Sequence, residues 1–271
     1  MTNKTMIFGD DSSTSADLAW LWINSHRWPH WRLEIVKAVM PDLGAPVPDA
    51  AVPHEWHPVD GRSVFSETHF DEVVQMTCIQ DPRLALSRAA DLVVIGPRGA
   101  GLTKAMHLGS TAEWLMKRPS SPLLIVRHGR LTRTAVICHD GSHHATAATD
   151  LICQLPWVDE LSVTLLVVND GRADVDATIA TATASLAAAG AKVQHQIRHG
   201  EPTHEITSYL EKASPDLLVL GTQGLTGWKK FRQGSTASAL AHSSPSSVLM
   251  VRHEIEAELI VSTDEVAVSH A

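Results

Sequence analysis

The chain has no CxxC pair: its three cysteines, Cys78, Cys138 and Cys153, stand far apart, and two of them sit in strand-like apolar runs. Buried free thiols are the reading this favours, and they fit a reducing cytoplasm. Positive charge is not in excess either. At a net charge of −8, neither a nucleic-acid backbone nor an anionic membrane is an expected partner. No apolar run approaches the ~20 residues that span a bilayer. The opening residues Met1-Thr2-Asn3-Lys4 lack the charged and apolar regions of a signal peptide. A P-loop of the G-x-x-x-x-G-K-[ST] kind is missing as well. Histidine is plentiful at 16 residues, but His54-x-x-His57 and His143-His144 have no second ligand pair at zinc-site spacing, so solvated loop histidines are expected and no protein metal site.

What the sequence does have is a glycine pattern that occurs twice. Gly96-Pro97-Arg98-Gly99 is followed after nine residues by Gly109-Ser110-Thr111, and Gly221-Thr222-Gln223-Gly224 after nine residues by Gly234-Ser235-Thr236. An apolar run leads into each copy, Leu92 to Ile95 and Leu217 to Leu220. Other landmarks recur in the same order. A short apolar strand ends in an acidic turn, Asp10-Asp11-Ser12 or Asp140-Gly141-Ser142. A second strand follows, Leu33 to Val39 or Leu161 to Val168, and a last strand closes each half, Leu123 to Arg127 or Val248 to Arg252. The repeat implies two domains, 1–129 and 130–253, with 254–271 left as a tail that is either one more strand or docking segment, or disordered.

The strands are continuous apolar runs, as expected for a parallel sheet covered on both faces. Helical segments alternate with them. Ala173 to Ala189 ends at Gly190, a C-cap signal, and Pro202 to Ala213 carries Ile206, Tyr209 and Leu210 at helical spacing. The fold class is therefore α/β, with two tandem doubly wound five-stranded parallel sheets of Rossmann-like type. The first half is less regular. Pro41, Pro46, Pro48, Pro53 and Pro58 forbid a normal helix after its second strand, and the helix before Gly96 is short, within Pro82 to Ala90. This half is expected to be partly eroded.

In a doubly wound sheet, ligands lie beyond the carboxyl ends of the strands. The glycines let the backbone approach a ligand closely. The helix starts after Gly109 and Gly234 offer free N–H groups, the positive end of a helix dipole and hydroxyl donors, which suits a phosphate. The carboxylate of Asp10 or Asp140 suits a ribose hydroxyl. The plain alternative is that the glycines only turn the chain and Ser-Thr only caps a helix.

At these residues the chain resembles the ATP-binding members of the universal stress protein family, which carry G-x2-G-x9-G-(S/T) after the fourth strand and an Asp in the turn after the first. The resemblance covers residues 1–253. It implies ATP, with Mg, held by Asp10, Gly96, Gly99, Gly109, Ser110 and Thr111 in the first half. In the second half it implies Asp140, Gly221, Gly224, Gly234, Ser235 and Thr236. It further implies that the backbone at Val39 and Val168 reads adenine, and that the two domains pack through their last strands. The implied role is nucleotide-dependent regulation in stress response with little or no turnover, and no catalytic residue. Lys104 and His107 in one nine-residue span, and Trp228, Lys229, Lys230 and Arg232 in the other, are candidate phosphate contacts or solvated loop residues; the lysines make the second site the better one for a triphosphate. Two alternatives stand beside this. One is slow ATP hydrolysis; His139-Asp140-Gly141-Ser142-His143 is one residue too long for the His-x-Gly-His turn of adenylyl transferases. The other is an interaction module that has lost nucleotide binding. Trp28 and Trp31, beside Pro29, belong either to ordinary packing or to a partner surface, and a homodimer is left open.

Overall fold

A computed structural model describes residues 4–40, 57–58, 70–99, 108–169, 174–222 and 234–252. The first half runs β1 (Lys4–Gly9), α1 (Thr14–Asn24), β2 (Trp31–Val39), β3 (His57–Pro58), β4 (Glu72–Ile79), α2 (Pro82–Ala85), β5 (Leu92–Ile95), α3 (Ser110–Lys117) and β6 (Leu123–Ile125). The second runs β7 (Thr134–Cys138), α4 (His143–Cys153), β8 (Ser162–Asn169), α5 (Val175–Ala188), β9 (Lys192–His199), α6 (Pro202–Ala213), β10 (Leu217–Gly221), α7 (Ser235–Ser243) and β11 (Ser247–Val251).

All the described strands join one sheet, in the order β3-β4-β2-β1-β5-β6-β11-β10-β7-β8-β9. Within each half the five main strands are parallel and lie third-second-first-fourth-fifth. The halves meet where β6 and β11 pair antiparallel, Leu124 opposite Leu249, so the last strands do form the contact between them. The two-residue β3, antiparallel to β4, is an addition that the repeat did not announce.

Side-chain alternation explains the apolar runs. On β1, Met6 and Phe8 enter a core under α1, α4 and α5, while Ile7 enters a second core under α2, α3, α6 and α7. A strand clothed on both faces has no polar side to show. α6 begins at Pro202, where the missing N–H costs nothing, and α5 stops at Gly190, which takes φ +99. α2 is indeed short. The proline-rich stretch apart from 57–58, and the tail, lie outside the described residues.

Trp22, Trp28 and Trp31 resolve to packing. Trp22, Trp28 and Trp31 are 1%, 0% and 2% exposed, so Trp28 and Trp31 mark no surface. They join Trp157 of the second half across the seam, with Trp22 and Trp28 each edge-on to it at 6.0 Å between ring centroids. His26 packs tilted against the same Trp157, 4.4 Å between ring centroids. The Thr132 N–H donates to His26 Nε2 (3.1 Å), which fixes the proton on Nδ1, and Nδ1–H donates to the Trp22 carbonyl (2.8 Å). Trp22 Nε1–H donates to the Thr132 hydroxyl (2.9 Å). A neutral imidazole thus ties the end of α1 to the segment that opens the second half.

Candidate functional site

In the first half a crevice lies at the carboxyl ends of the first, second and fourth strands, and the described residues of the second half repeat the turn and helix start that border it. The turns that follow β1 and β7 are built alike. The N–H of Asp10 donates to the Val36 carbonyl (2.9 Å) and that of His139 to the Leu166 carbonyl (3.0 Å). One residue on, Asp11 Oδ1 accepts from Ser13 N–H (3.1 Å) and Asp140 Oδ1 from Ser142 N–H (3.1 Å). Next, Ser12 and Gly141 take positive φ, 58° and 81°. Then Ser13 and Ser142 cap α1 and α4 by accepting from the N–H of Ala16 (3.1 Å) and Ala145 (3.2 Å).

This register corrects the sequence reading by one residue. The counterpart of Asp140 is Asp11, and Asp10 stands where the second half has His139. Matching Asp10-Asp11-Ser12 to Asp140-Gly141-Ser142 failed because Ser12, not a glycine, occupies the left-handed position. Counting back from the paired caps Ser13-x-x-Ala16 and Ser142-x-x-Ala145 would have found Asp11.

The same offset moves the position on the second strand. Gly9 lies opposite Val36 and Cys138 opposite Leu166, so the equivalent of Val168 is Ala38. Val39 is 45% exposed and turned away, whereas Ala38 lines the first crevice.

The glycines do different things. A Cβ on Gly96 would lie 2.6 Å from the Ser15 Cβ and 2.7 Å from its carbonyl group, and one on Gly221 would lie 2.8 Å from the Ala145 nitrogen. Both are therefore demanded by the close approach of a strand end to α1 or α4, with or without a ligand. Gly99 makes room for the Asp11 carboxylate, whose Oδ2 lies 2.6 Å from where a Cβ would stand. The N–H of Gly109 donates to the Pro97 carbonyl (2.8 Å) and that of Gly234 to the Thr222 carbonyl (2.9 Å), closing each motif onto the next helix. These two glycines are the N-caps of α3 and α7 and supply no capping side chain, whereas α1, α2, α4, α5 and α6 are each capped by a serine, aspartate or glutamate oxygen. The first-turn N–H groups at Ser110-Thr111 and Ser235-Thr236 are left for other acceptors. Gly224 and the spans with Lys104, His107, Trp228, Lys229, Lys230 and Arg232 lie outside the described residues.

In the first half these pieces enclose a cavity of about 310 Å³. Its apolar wall is Val36, Ala38, Pro82, Leu86 and Ile95. Its polar rim is Asp10, Asp11, Arg98, Gly99 and the Gly109-Ser110-Thr111 helix start. The half expected to be eroded thus keeps a formed crevice. In the second half, Cys138 stands where the first has Gly9; burial and the nearby Asp140 carboxylate push its thiol far up, so it stays protonated. Burial likewise pushes His139 below its usual range, against the pull of Asp140 and Asp150. Among the described residues, no group of three or more His, Cys, Asp or Glu is arranged to hold a metal, and no helix is long and apolar enough to cross a membrane.

The fold defines a duplicated doubly wound α/β protein with a strand-end crevice in its first half and the matching turn and helix start in its second. Comparison with known proteins carries this to a family. The model of the universal stress protein family matches residues 70–127 and 155–252, more than half of the chain. The chain belongs to the universal stress protein family. A universal stress protein of Synechocystis is 25% identical over 181 residues, 65% of this chain and 62% of its own length. One of Mycolicibacterium smegmatis is 26% identical over 190 residues, 61% of this chain. The chain spans less than two thirds of both relatives, 62% and 63%. The crystal structure of a universal stress protein from Archaeoglobus fulgidus shares the fold, with a TM-score of 0.62 at 16% identity over 94% of this chain and 100% of that one.

Proposed function

We propose that the chain is a regulatory protein that binds an adenine nucleotide in the crevice of each half, with little or no turnover. One observation carries this: the first-half cavity is lined by apolar side chains, by the Asp11 carboxylate and by an uncapped helix start. An apolar lining suits a purine. A carboxylate suits the ribose hydroxyls, and the free N–H groups of Ser110 and Thr111 suit a phosphate. The same strand ends, aspartate turn and uncapped helix recur in the second half. The volume of about 310 Å³ is at the low end of the roughly 300–1,000 Å³ typical of small-ligand sites.

On this reading the first crevice uses Asp11, Ala38, Gly99, Gly109, Ser110 and Thr111, with Asp10 beside them. The second uses Asp140, Val168, Gly234, Ser235 and Thr236. Magnesium arrives on the phosphates of ATP rather than on a protein site. The working units are residues 1–129 and 130–253, and the setting is the cytoplasm, where the free cysteines stay reduced.

The test is nucleotide identification by mass spectrometry after denaturing the purified protein, followed by calorimetry with ATP and AMP. Asp11→Asn should weaken binding at the first crevice by about tenfold, the loss of one charge-assisted hydrogen bond. Asp10→Asn should change it by less than about threefold. A protein that carries no nucleotide and binds none at millimolar ligand ends the proposal; rapid steady-state hydrolysis ends its claim of little turnover.

A further inference from the structure

Thr222 follows β10 at the head of the second glycine motif and is 4% exposed. Its Oγ1 is buried and has no hydrogen-bond partner among the described residues. Buried hydroxyls are nearly always partnered, so an orphan at a crevice asks for a missing acceptor or donor. The backbone of the residue is fully used: its N–H donates to the Val251 carbonyl (2.9 Å) and its carbonyl accepts from Gly234 N–H (2.9 Å). The backbone of Thr222 is therefore tied to Gly234, the N-cap of α7. Along β10, Leu218 and Leu220 face the core under α6 and α7, and alternation turns Thr222 to that same side. The first half has Pro97 at this place, and Pro97 lines the cavity beside Ser110 and Thr111. Proline has neither a hydroxyl nor an N–H to give.

We infer that Thr222 is a ligand-reading residue of the second crevice, whose hydroxyl donates to a phosphate oxygen of the nucleotide bound there. Pro97 leaves the first crevice without that bond. The two copies of the motif therefore differ in phosphate affinity, by a residue at one of the positions the glycine pattern leaves free. This rests on the nucleotide reading above and adds the selectivity of one crevice over the other.

The full chain is titrated calorimetrically with ATP, AMP and adenosine, and melted without ligand, as wild type, Thr222→Val, Thr222→Ser and Pro97→Thr. Thr222→Val should weaken AMP and ATP at one of the two sites by about 5- to 10-fold and leave adenosine within about twofold. Thr222→Ser should stay within about threefold of wild type, and Pro97→Thr should tighten AMP at the other site. With no partner to lose, Thr222→Val should melt at or above the wild-type temperature when ligand-free. Unchanged AMP affinity in Thr222→Val overturns the inference. An equal loss for adenosine overturns the phosphate assignment, and a lowered ligand-free melting temperature overturns the claim that the hydroxyl waits for a ligand. If the wild type binds none of the three ligands, the nucleotide reading itself fails. Wild-type binding with an indifferent Thr222 sinks only the selectivity.

Discussion

Replacing His26 with glutamine should flatten the dependence of stability on pH between pH 7 and pH 4. His26 is 3% exposed in the seam between the halves, with one nitrogen donating to the Trp22 carbonyl and the other accepting from the Thr132 N–H. Burial is the main cause that lowers its pKa, from 6.5 to about 4; the Trp22 carbonyl opposes the shift and Arg133 adds to it. The tryptophan rings of the seam, Trp22, Trp28 and Trp157, offer no counter-charge. Below pH 6.5 the unfolded chain takes up a proton that the folded chain refuses. Stability contributed by the neutral ring is therefore complete above pH 6.5 and lost as pH falls to about 4. The difference amounts to about 2 kcal/mol at pH 5 and about 3 kcal/mol in all. Glutamine keeps an amide oxygen for the Thr132 N–H and does not titrate. Urea unfolding of both proteins at pH 7 and pH 5 measures the effect, since carboxylates common to both cancel in the difference. Wild type should lose about 2 kcal/mol more than His26→Gln between the two pH values. Parallel losses would refute the assignment of a buried neutral imidazole to the seam.

Two further perturbations test the packing under the crevices. Gly221→Ala and Gly96→Ala place a Cβ against backbone atoms that cannot yield, at 2.8 Å and 2.7 Å, and should each cost about 1–3 kcal/mol in thermal or urea unfolding. A wild-type melt for Gly221→Ala would show that the strand end does not press on α4 as described. Asp216 accepts from Arg133 N–H (3.0 Å), Thr134 N–H (3.0 Å) and the Thr134 hydroxyl (2.9 Å) and pairs with Arg130 (2.8 Å). Burial pushes its carboxyl up, but these hydrogen bonds and the charge hold it below its usual range. Its contribution is therefore present above pH 3.8 and fades as pH falls below that value. Asp216→Ala should cost about 2–3 kcal/mol at pH 7 and less at pH 3; an equal cost at both would show that the charge is not what matters.

The strand-helix alternation was legible because each signal has one physical cause. Strands covered on both faces must be apolar throughout, and Pro202 and Gly190 mark helix ends by what their backbones can do. The pairing of the last strands followed from the family resemblance, and the antiparallel register of Leu124 with Leu249 bears it out. The candidate site was legible only to within one residue. Ser12 adopts a backbone conformation that glycine usually announces, so Asp10 was taken for the residue that Asp11 is. The unequal lengths read for the two second strands likewise put Val39 in the place of Ala38. What the spacing did not carry at all was contact across the seam. Trp157 is distant in sequence from Trp22 and Trp28, and nothing local tells a buried tryptophan from an exposed one. Nor could the pattern separate glycines that the fold needs, Gly96 and Gly221, from those beside the helix starts.

The antiparallel junction decides how the two crevices relate. Because β6 and β11 run in opposite directions, the parallel strands of one half point opposite to those of the other. Their carboxyl ends therefore lie at opposite ends of the strand direction, which keeps the first crevice and its second-half counterpart apart. One physical link between them passes through the central strands and the groups fixed to them. Arg127, just beyond β6, is such a group: its N–H donates to the Ser247 hydroxyl (3.1 Å), and its guanidinium donates to the Ala241 carbonyl (2.5 Å) in the last turn of α7. The first turn of that helix lies at the second crevice. Donation to a C-terminal carbonyl complements the helix dipole, so one cation from the first half steadies the helix whose other end meets the second site. The duplication therefore sets the strand ends of the two halves apart, and Arg127 joins them to α7 beside the seam contacts of His26 and Trp22 with Thr132.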